Sequence, residues 1–158
     1  PTSESVKEAL FSMIQFEIEG KRVLDLFAGS GQLGIEALSR GAASCVFVEN
    51  NKSARDVVER NILHCGLQDR ASIYLSDAAS YAARNATYDI AFLDPPYHKN
   101  MIDKVLPLVA AKMSSNGIIA CETAKDEELP RSCCGFEVVK EKKYGKIKLT
   151  LYRKEAEE

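Results

Sequence analysis

No apolar run in this 158-residue chain approaches the roughly 18 residues a membrane-spanning helix needs, so no membrane span is expected. Pro1–Ser5 is polar and precedes no apolar stretch with a small-residue cleavage site, so no secretory signal peptide is expected there. There is no Cys-x-x-Cys pair. The five cysteines (Cys45, Cys65, Cys121, Cys133 and Cys134) are an odd count scattered over core and helix positions, which argues against a disulfide framework or zinc site and for reduced thiols. Two histidines leave little for a His-based metal centre, and no metal is expected. Internal repeats and low-complexity stretches are missing too. So is a strong charge of one sign: the net charge is −2 and the pI about 5.8, unlike a general nucleic-acid binder.

What is present is ordinary for a soluble globular chain, with 46% hydrophobic and 28% charged residues. The length fits one domain spanning 1–158, and a chain of this size buries roughly 68–70% of its unfolded surface without needing a disulfide or metal. Val6, Leu10 and Ile14 recur at helical steps behind the cap candidates Thr2, Ser3 and Ser5, and Ser5-x-x-Glu8 fits a capping box. Buried strands are expected at 22–27, 45–49, 72–75, 88–93 and 117–122. Helices are expected at 32–40, 52–65 and 101–113, with a small-residue stretch at 78–83. Alternating strands and helices imply βαβ units and a parallel sheet covered on both faces. The last thirty residues break that rhythm: 136–143 and 146–153 alternate around Tyr144-Gly145 as an antiparallel hairpin does. The expected fold class is therefore α/β, a mostly parallel twisted sheet with helices on both faces and a C-terminal antiparallel hairpin.

Two motifs carry chemistry. Gly29-Ser-Gly31-Gln-Leu-Gly34 has the G-x-G-x-x-G spacing, set after a strand and opening a helix, and Glu49 stands at the tip of the next strand. Glycines there permit close backbone approach of a ligand, and the acid can accept hydrogen bonds from ribose hydroxyls, so a nucleoside-containing cofactor is expected. Asp25 lies just ahead, facing the same crevice. Its carboxylate would repel a pyrophosphate but favour an ammonium and a sulfonium, which points to S-adenosylmethionine. A turn-stabilising role is the plainer alternative for Asp25. Asp77, just after the third strand, suits an adenine amino group or, as readily, the N-cap of a short helix.

The second motif, Asp94-Pro95-Pro96-Tyr97, follows the fourth strand at the carboxyl edge of the sheet. Two prolines remove two N–H donors and leave a rim of acceptors that suits an exocyclic amine, while Tyr97 offers a face for stacking a flipped base.

Asp25-Leu-Phe-Ala-Gly-Ser-Gly31 followed by Asp94-Pro-Pro-Tyr97 resembles the class I, Rossmann-like methyltransferases acting on exocyclic amines of nucleic-acid bases. Thr2-Ser-x-x-Val6-Lys-Glu-Ala-Leu-Phe11, Gly34-Ile-Glu-Ala-Leu-Ser-Arg-Gly-Ala42, Phe47-Val-Glu49 and Phe92-Leu-Asp-Pro-Pro-Tyr97 more narrowly resemble the bacterial family that methylates N2 of a guanine in 16S ribosomal RNA. The likeness runs from Pro1 to about Arg153. It implies S-adenosylmethionine as cofactor, S-adenosylhomocysteine as product, and 16S rRNA or the assembled small ribosomal subunit as partner. Cytoplasmic location is expected, and nothing suggests more than a monomer. By the same resemblance Asp25, Gly29 and Gly31, with Phe27 and Ala28 in their turn, would meet the methionine part. Glu49 would hold the ribose, Asn50, Asp77 and Ala78 would surround the adenine, and Asp94 to Tyr97 would hold the guanine. Family members carry a basic RNA-touching segment ahead of the Pro-Thr, and this sequence opens at that Pro-Thr.

Charge is uneven: from Lys140 to Lys154 seven basic residues face one acid, Glu141. Lys142, Lys143 and Lys99 are the candidate phosphate contacts. Alternation is expected to put Lys146 and Lys148 on the solvated face and Ile147 and Leu149 on the covered one. Other readings remain at this point. They are an adenine-N6 or cytosine-N4 DNA methyltransferase, a glutamine-modifying protein methyltransferase, an NAD-dependent oxidoreductase through G-x-G-x-x-G, or a non-catalytic S-adenosylmethionine binder.

Overall fold

The computed structural model describes residues 3–97 and 100–154. It opens with α1 (Glu4–Ile14), whose Val6, Leu10, Phe11 and Ile14 form one buried stripe. Ser3 caps this helix, its Oγ accepting from the Val6 N–H at 3.3 Å. The capping box expected at Ser5 and Glu8 therefore gives way to a start two residues earlier, with Ser5 inside the first turn. There follow β1 (Arg22–Asp25), α2 (Gln32–Ser39), β2 (Ser44–Glu49), α3 (Lys52–His64), β3 (Ala71–Leu75), α4 (Ala78–Ala82), β4 (Tyr88–Leu93) and α5 (Met101–Ala110). The chain then leaves the βα rhythm for β5 (Met113–Ala124), β6 (Ser132–Cys133), β7 (Phe136–Tyr144) and β8 (Ile147–Lys154).

Among the described residues these strands form one eight-stranded sheet in the order β3-β2-β1-β4-β5-β8-β7-β6. Strands β1 to β5 run parallel, and β5 to β8, β8 to β7 and β7 to β6 are antiparallel. This is the expected parallel sheet with its terminal hairpin. The order reverses at β1, which has β2 on one side and β4 on the other, and the crevice beyond the strand ends at such a point is where open α/β sheets take ligands.

Strands β1, β2, β4 and β5 alternate between two cores. Val23, Cys45, Phe47, Ile90, Phe92, Ile118 and Ala120 pack under α1, α2 and α3. Leu24, Val48, Ala91, Leu93, Ile119 and Cys121 pack under α4 and α5. Two boundaries depart from the sequence pattern for one reason. Met113 belongs to β5, pairing with Tyr88, so α5 ends early and β5 starts early. At its other end β5 runs on to Ala124, because β8 supplies antiparallel partners from Ile118 to Ala124. The β6–β7 hairpin, which the pattern does not announce, closes through Cys134 (φ 52°) and Gly135 (φ 88°), both left-handed, as a type I′ turn requires. No helix of the described residues is long and apolar enough to cross a membrane.

Candidate active site

Parallel strands end at one edge, and four of them end in acid. Asp25 closes β1, Glu49 closes β2, Asp94 follows β4 directly, and Glu122 lies two residues from the end of β5. Period-2 alternation puts Asp25, Glu49 and Glu122 on the face shared with Val23, Phe47 and Ala120, so all three project toward one crevice. The crevice is a cavity of about 580 Å³ lined by these acids and by Phe27, Ala28, Gly29, Asn50, Pro95, Pro96, Tyr97 and Met101, among others. No Lys or Arg is among its described lining residues. A smaller cavity of about 190 Å³ adjoins it, sharing Phe27, Glu49, Asn50 and Met101 and adding Leu26, Val48, Asp77, Ala78 and Lys104, among others.

The turn after β1 is tied by carboxylates. Glu49 accepts the Gly29 N–H on Oε1 at 3.1 Å and the Asn51 N–H on Oε2 at 2.9 Å, holding the two strand tips together. Asp25 Oδ2 accepts the Gly34 N–H at 3.0 Å. Asp25 is fully buried, and desolvation, opposed by that hydrogen bond and reinforced by Asp94 and Glu49, pushes its carboxyl up to about 7. This aspartate therefore does both things foreseen for it: it braces the turn and it faces the crevice.

Two glycines set the approach of α2 to the sheet. Gly31 caps the helix at φ +85°, a conformation that side chains rarely adopt. At Gly34 a Cβ would stand 2.3 Å from Phe47 Cε1 and 2.7 Å from Cys45 Sγ. Gly34→Ala is expected to push α2 off β2 and lower stability by about 1–3 kcal/mol, read as a fall of several degrees in Tm by circular dichroism.

On the other side of the crevice, Asp94 and Glu122 are hydrogen-bonded through their carboxyl groups. Burial first, then that contact and the Asp94 charge, push Glu122 up to about 8, so it holds a proton at neutral pH. Tyr97 is 41% exposed at the mouth and donates its hydroxyl to Glu122 Oε2 at 3.4 Å. Desolvation and the neighbouring acids push the Tyr97 phenol up to about 12. The site thus offers an acceptor rim, an aromatic face and a negatively lined floor.

A model of the family Conserved hypothetical protein 95 matches residues 1–153. The chain belongs to this family. It is 38% identical over 160 residues to the Bacillus subtilis (strain 168) protein named "Putative rRNA methyltransferase YlbH", covering 98% of this chain and 87% of that protein. It is 34% identical over 161 residues to the Haemophilus influenzae protein named "Ribosomal RNA small subunit methyltransferase D", covering 97% and 82%. A solved conserved hypothetical protein from Streptococcus pyogenes superposes with a TM-score of 0.89 at 39% identity, over 95% of this chain and 96% of that one.

In this member of Conserved hypothetical protein 95, the main cavity gathers Asp25, Phe27, Ala28, Gly29, Glu49, Asn50, Asp94, Pro95, Pro96 and Tyr97 from the residues expected at the site. Asp77 and Ala78 line the annex instead. Asp77 also caps α4, accepting the Ser80 N–H at 3.0 Å, and this contact with Ser80 holds its carboxyl below the usual range. Gly31 lines neither cavity: its missing side chain leaves room for Val58 and Phe47, so it shapes the turn from behind. Lys99 lies outside the described residues.

The hairpin corrects one expectation. Lys148 is 3% exposed, with its Nζ donating to the Glu127 carbonyl, because the segment after β5 folds over that face. Lys142 and Lys143 are both exposed but on opposite faces. Lys142 stands opposite Leu149, itself opposite Glu122, while Lys143 stands opposite Lys148 and Thr123. Glu122 and Met101, with Ser30, Gln32 and Leu33 of the glycine-rich turn, line the cavity without having been expected at the site. For Glu122 a signal existed: an acid near the carboxyl end of a buried strand, the rule that finds Asp25, Glu49 and Asp94.

Proposed function

We propose that the chain is an S-adenosylmethionine-dependent methyltransferase that modifies the exocyclic N2 amine of a guanine in small-subunit (16S) ribosomal RNA. It acts as one domain and as a monomer in the cytoplasm, on free rRNA or on the assembled small subunit. The observation that carries this reading is the crevice whose described lining holds Asp25, Glu49, Asp94 and Glu122 and no Lys or Arg, placed against Asp94-Pro95-Pro96-Tyr97. Its donor set fits a cationic nucleoside cofactor: Asp25 and Glu49 oppose an ammonium and a sulfonium at one end, Glu49 can also accept ribose hydroxyls, and the annex with Asp77 can take the adenine. The acids of the main cavity oppose a pyrophosphate, which needs positive partners, and Lys104 of the annex is the one Lys or Arg among the described residues lining either cavity. The relatives named as rRNA methyltransferases support the substrate class.

When bound, S-adenosylmethionine supplies an electrophilic methyl group on a sulfonium. The chain's own residues then do the positioning. Tyr97 stacks on the flipped guanine, and Asp94 and a proline carbonyl accept the two N2 hydrogens, turning the nitrogen lone pair toward the methyl carbon. Loss of the surplus proton from the cationic product amine needs no strong base, and Asp94 can pass it to water.

The decisive assay uses methyl-labelled S-adenosylmethionine with unmodified small subunits, naked rRNA and duplex DNA, followed by digestion to nucleosides. Label in N2-methylguanosine from the ribosomal samples is expected; label confined to DNA, or none despite cofactor binding, sinks the rRNA reading.

The hairpin carries a separate expectation. Strands in a sheet are about 4.8 Å apart, so Lys142 stands about 10 Å from Glu122 on the same face, within reach of a phosphate flanking the target base. Lys142→Ala should raise the KM for RNA several-fold and lower the salt slope of binding by about 1, with Lys143→Ala affecting both less. Equal effects of the two would remove Lys142 from the RNA path.

A further inference from the structure

The acid pair at the crevice wall has a consequence for base choice, one that rests on the guanine-N2 reading. Asp94 alone explains how an amine is held, and any exocyclic amine would satisfy it. Adenine N6, cytosine N4 and guanine N2 differ in the ring atom beside the amine. In adenine and cytosine that atom, N1 or N3, is a bare acceptor. In guanine the Watson–Crick edge places a second donor, N1–H, next to the N2 hydrogens. A site for guanine therefore needs a second acceptor beside Asp94.

Glu122 is that neighbour. It is 5% exposed, reaches the crevice from β5, and touches Asp94 through a carboxyl–carboxyl hydrogen bond, with the Tyr97 hydroxyl on Oε2. We infer that Glu122 selects guanine, donating its own hydroxyl hydrogen to Asp94 and accepting guanine N1–H on its other oxygen. With a proton held on Glu122, Asp94 is left to accept the N2 hydrogens and the Glu122 carbonyl oxygen is open to the base. The same oxygen would face the N1 lone pair of adenine and the N3 lone pair of cytosine, and repel both.

The charged and titratable groups around Glu122 are consistent with a neutral acid. Asp94 and Tyr97 touch it, Asp25 and Glu49 face it across the cavity from β1 and β2, and Glu127 follows on its own strand's extension. On β8 its partner Leu149 is apolar, and Lys142 on β7 is one strand further away. The immediate surroundings are thus dominated by acids and keep the proton on Glu122 up to about pH 8. Above that pH Glu122 loses the proton it donates to Asp94, and function is lost as pH rises.

The test compares wild type, Glu122→Gln and Glu122→Leu on small-subunit rRNA between pH 6 and 9, with nucleoside analysis, cofactor binding and thermal melts. Glutamine keeps one donor and one acceptor in the same shape but cannot ionise. Glu122→Gln is expected within about threefold of wild type at pH 7 and without the wild-type fall above pH 8. Glu122→Leu, still folded and binding cofactor, is expected to lose roughly 100-fold in kcat/KM for guanine and to place a larger share of its label on adenine. Three results overturn the inference while leaving the guanine-N2 reading intact: Glu122→Leu within threefold of wild type, failure of Glu122→Gln to rescue, or a high-pH fall that persists in Glu122→Gln. Absence of N2-methylguanosine with wild type overturns both.

Discussion

Asp94→Ala is expected to lower kcat by about 10³-fold while cofactor affinity stays within a few-fold and the Tm moves little. Asp94 leaves β4 at Leu93 and enters a turn whose next two residues are prolines, so its backbone is held by the sheet on one side and by two fixed φ angles on the other. Truncating the side chain changes no strand pairing. It removes an acceptor aimed at the amine, and an aromatic amine needs that acceptor because its lone pair is otherwise drawn into the ring. A 10³-fold loss corresponds to about 4 kcal/mol of transition-state stabilisation, the size expected when one preorganised polar partner is deleted from a dry site. Asp94→Asn, which keeps an acceptor but no charge, should fall between wild type and alanine. The measurement is single-turnover methyl transfer with saturating cofactor. If Asp94→Ala retains most of the rate, another group holds the amine and the assignment of this turn is wrong.

The order of the elements was legible because each parallel strand is a short apolar run ended by a glycine, a proline or an acid. Asp25, Glu49 and Asp94 were legible for the same reason: a carboxylate at the end of a buried run has nowhere to go but the edge of the sheet. Glu122 obeys the same rule and was equally legible as the acid ending the run at 117–122; what the sequence hid was how far its strand continues. β5 continues to Ala124 only because β8 pairs with it, and partners 23 to 25 residues away leave no local trace. Lys148 failed for a related reason. Two-residue alternation assigns it to a side of the hairpin but cannot say that the segment carrying Glu127 covers that side. Lys142 and Lys143 are adjacent in sequence, so a charge count groups them, while the pleat sends them to opposite faces. Gly31 matches a ligand-contact motif, and the structure adds a packing reason for it, since Val58 and Phe47 sit close behind the turn.

Asp25→Asn should move stability and binding in opposite directions. A carboxyl pushed up to about 7 by burial is protonated in the folded chain at pH values where the unfolded chain, near 3.9, is already ionised. The folded state then binds the extra proton, so stability falls as pH rises from about 4 to about 7 and is flat above. Asparagine keeps an oxygen for the Gly34 N–H and has no charge to bury. At pH 8 the ligand-free variant should therefore melt several degrees above wild type, and the difference should vanish near pH 4. Cofactor binding runs the other way. The ionised form is the one that opposes an ammonium or sulfonium, so wild-type affinity for S-adenosylmethionine should weaken about tenfold per pH unit below 7, and Asp25→Asn should bind about 100-fold more weakly at pH 8 with little pH dependence. Calorimetric titration and melts across pH 5 to 8 measure both. A variant that binds as tightly as wild type would reduce Asp25 to a brace for the turn, whereas one that loses stability would show that its hydrogen bond to α2 outweighs the strain of the buried charge.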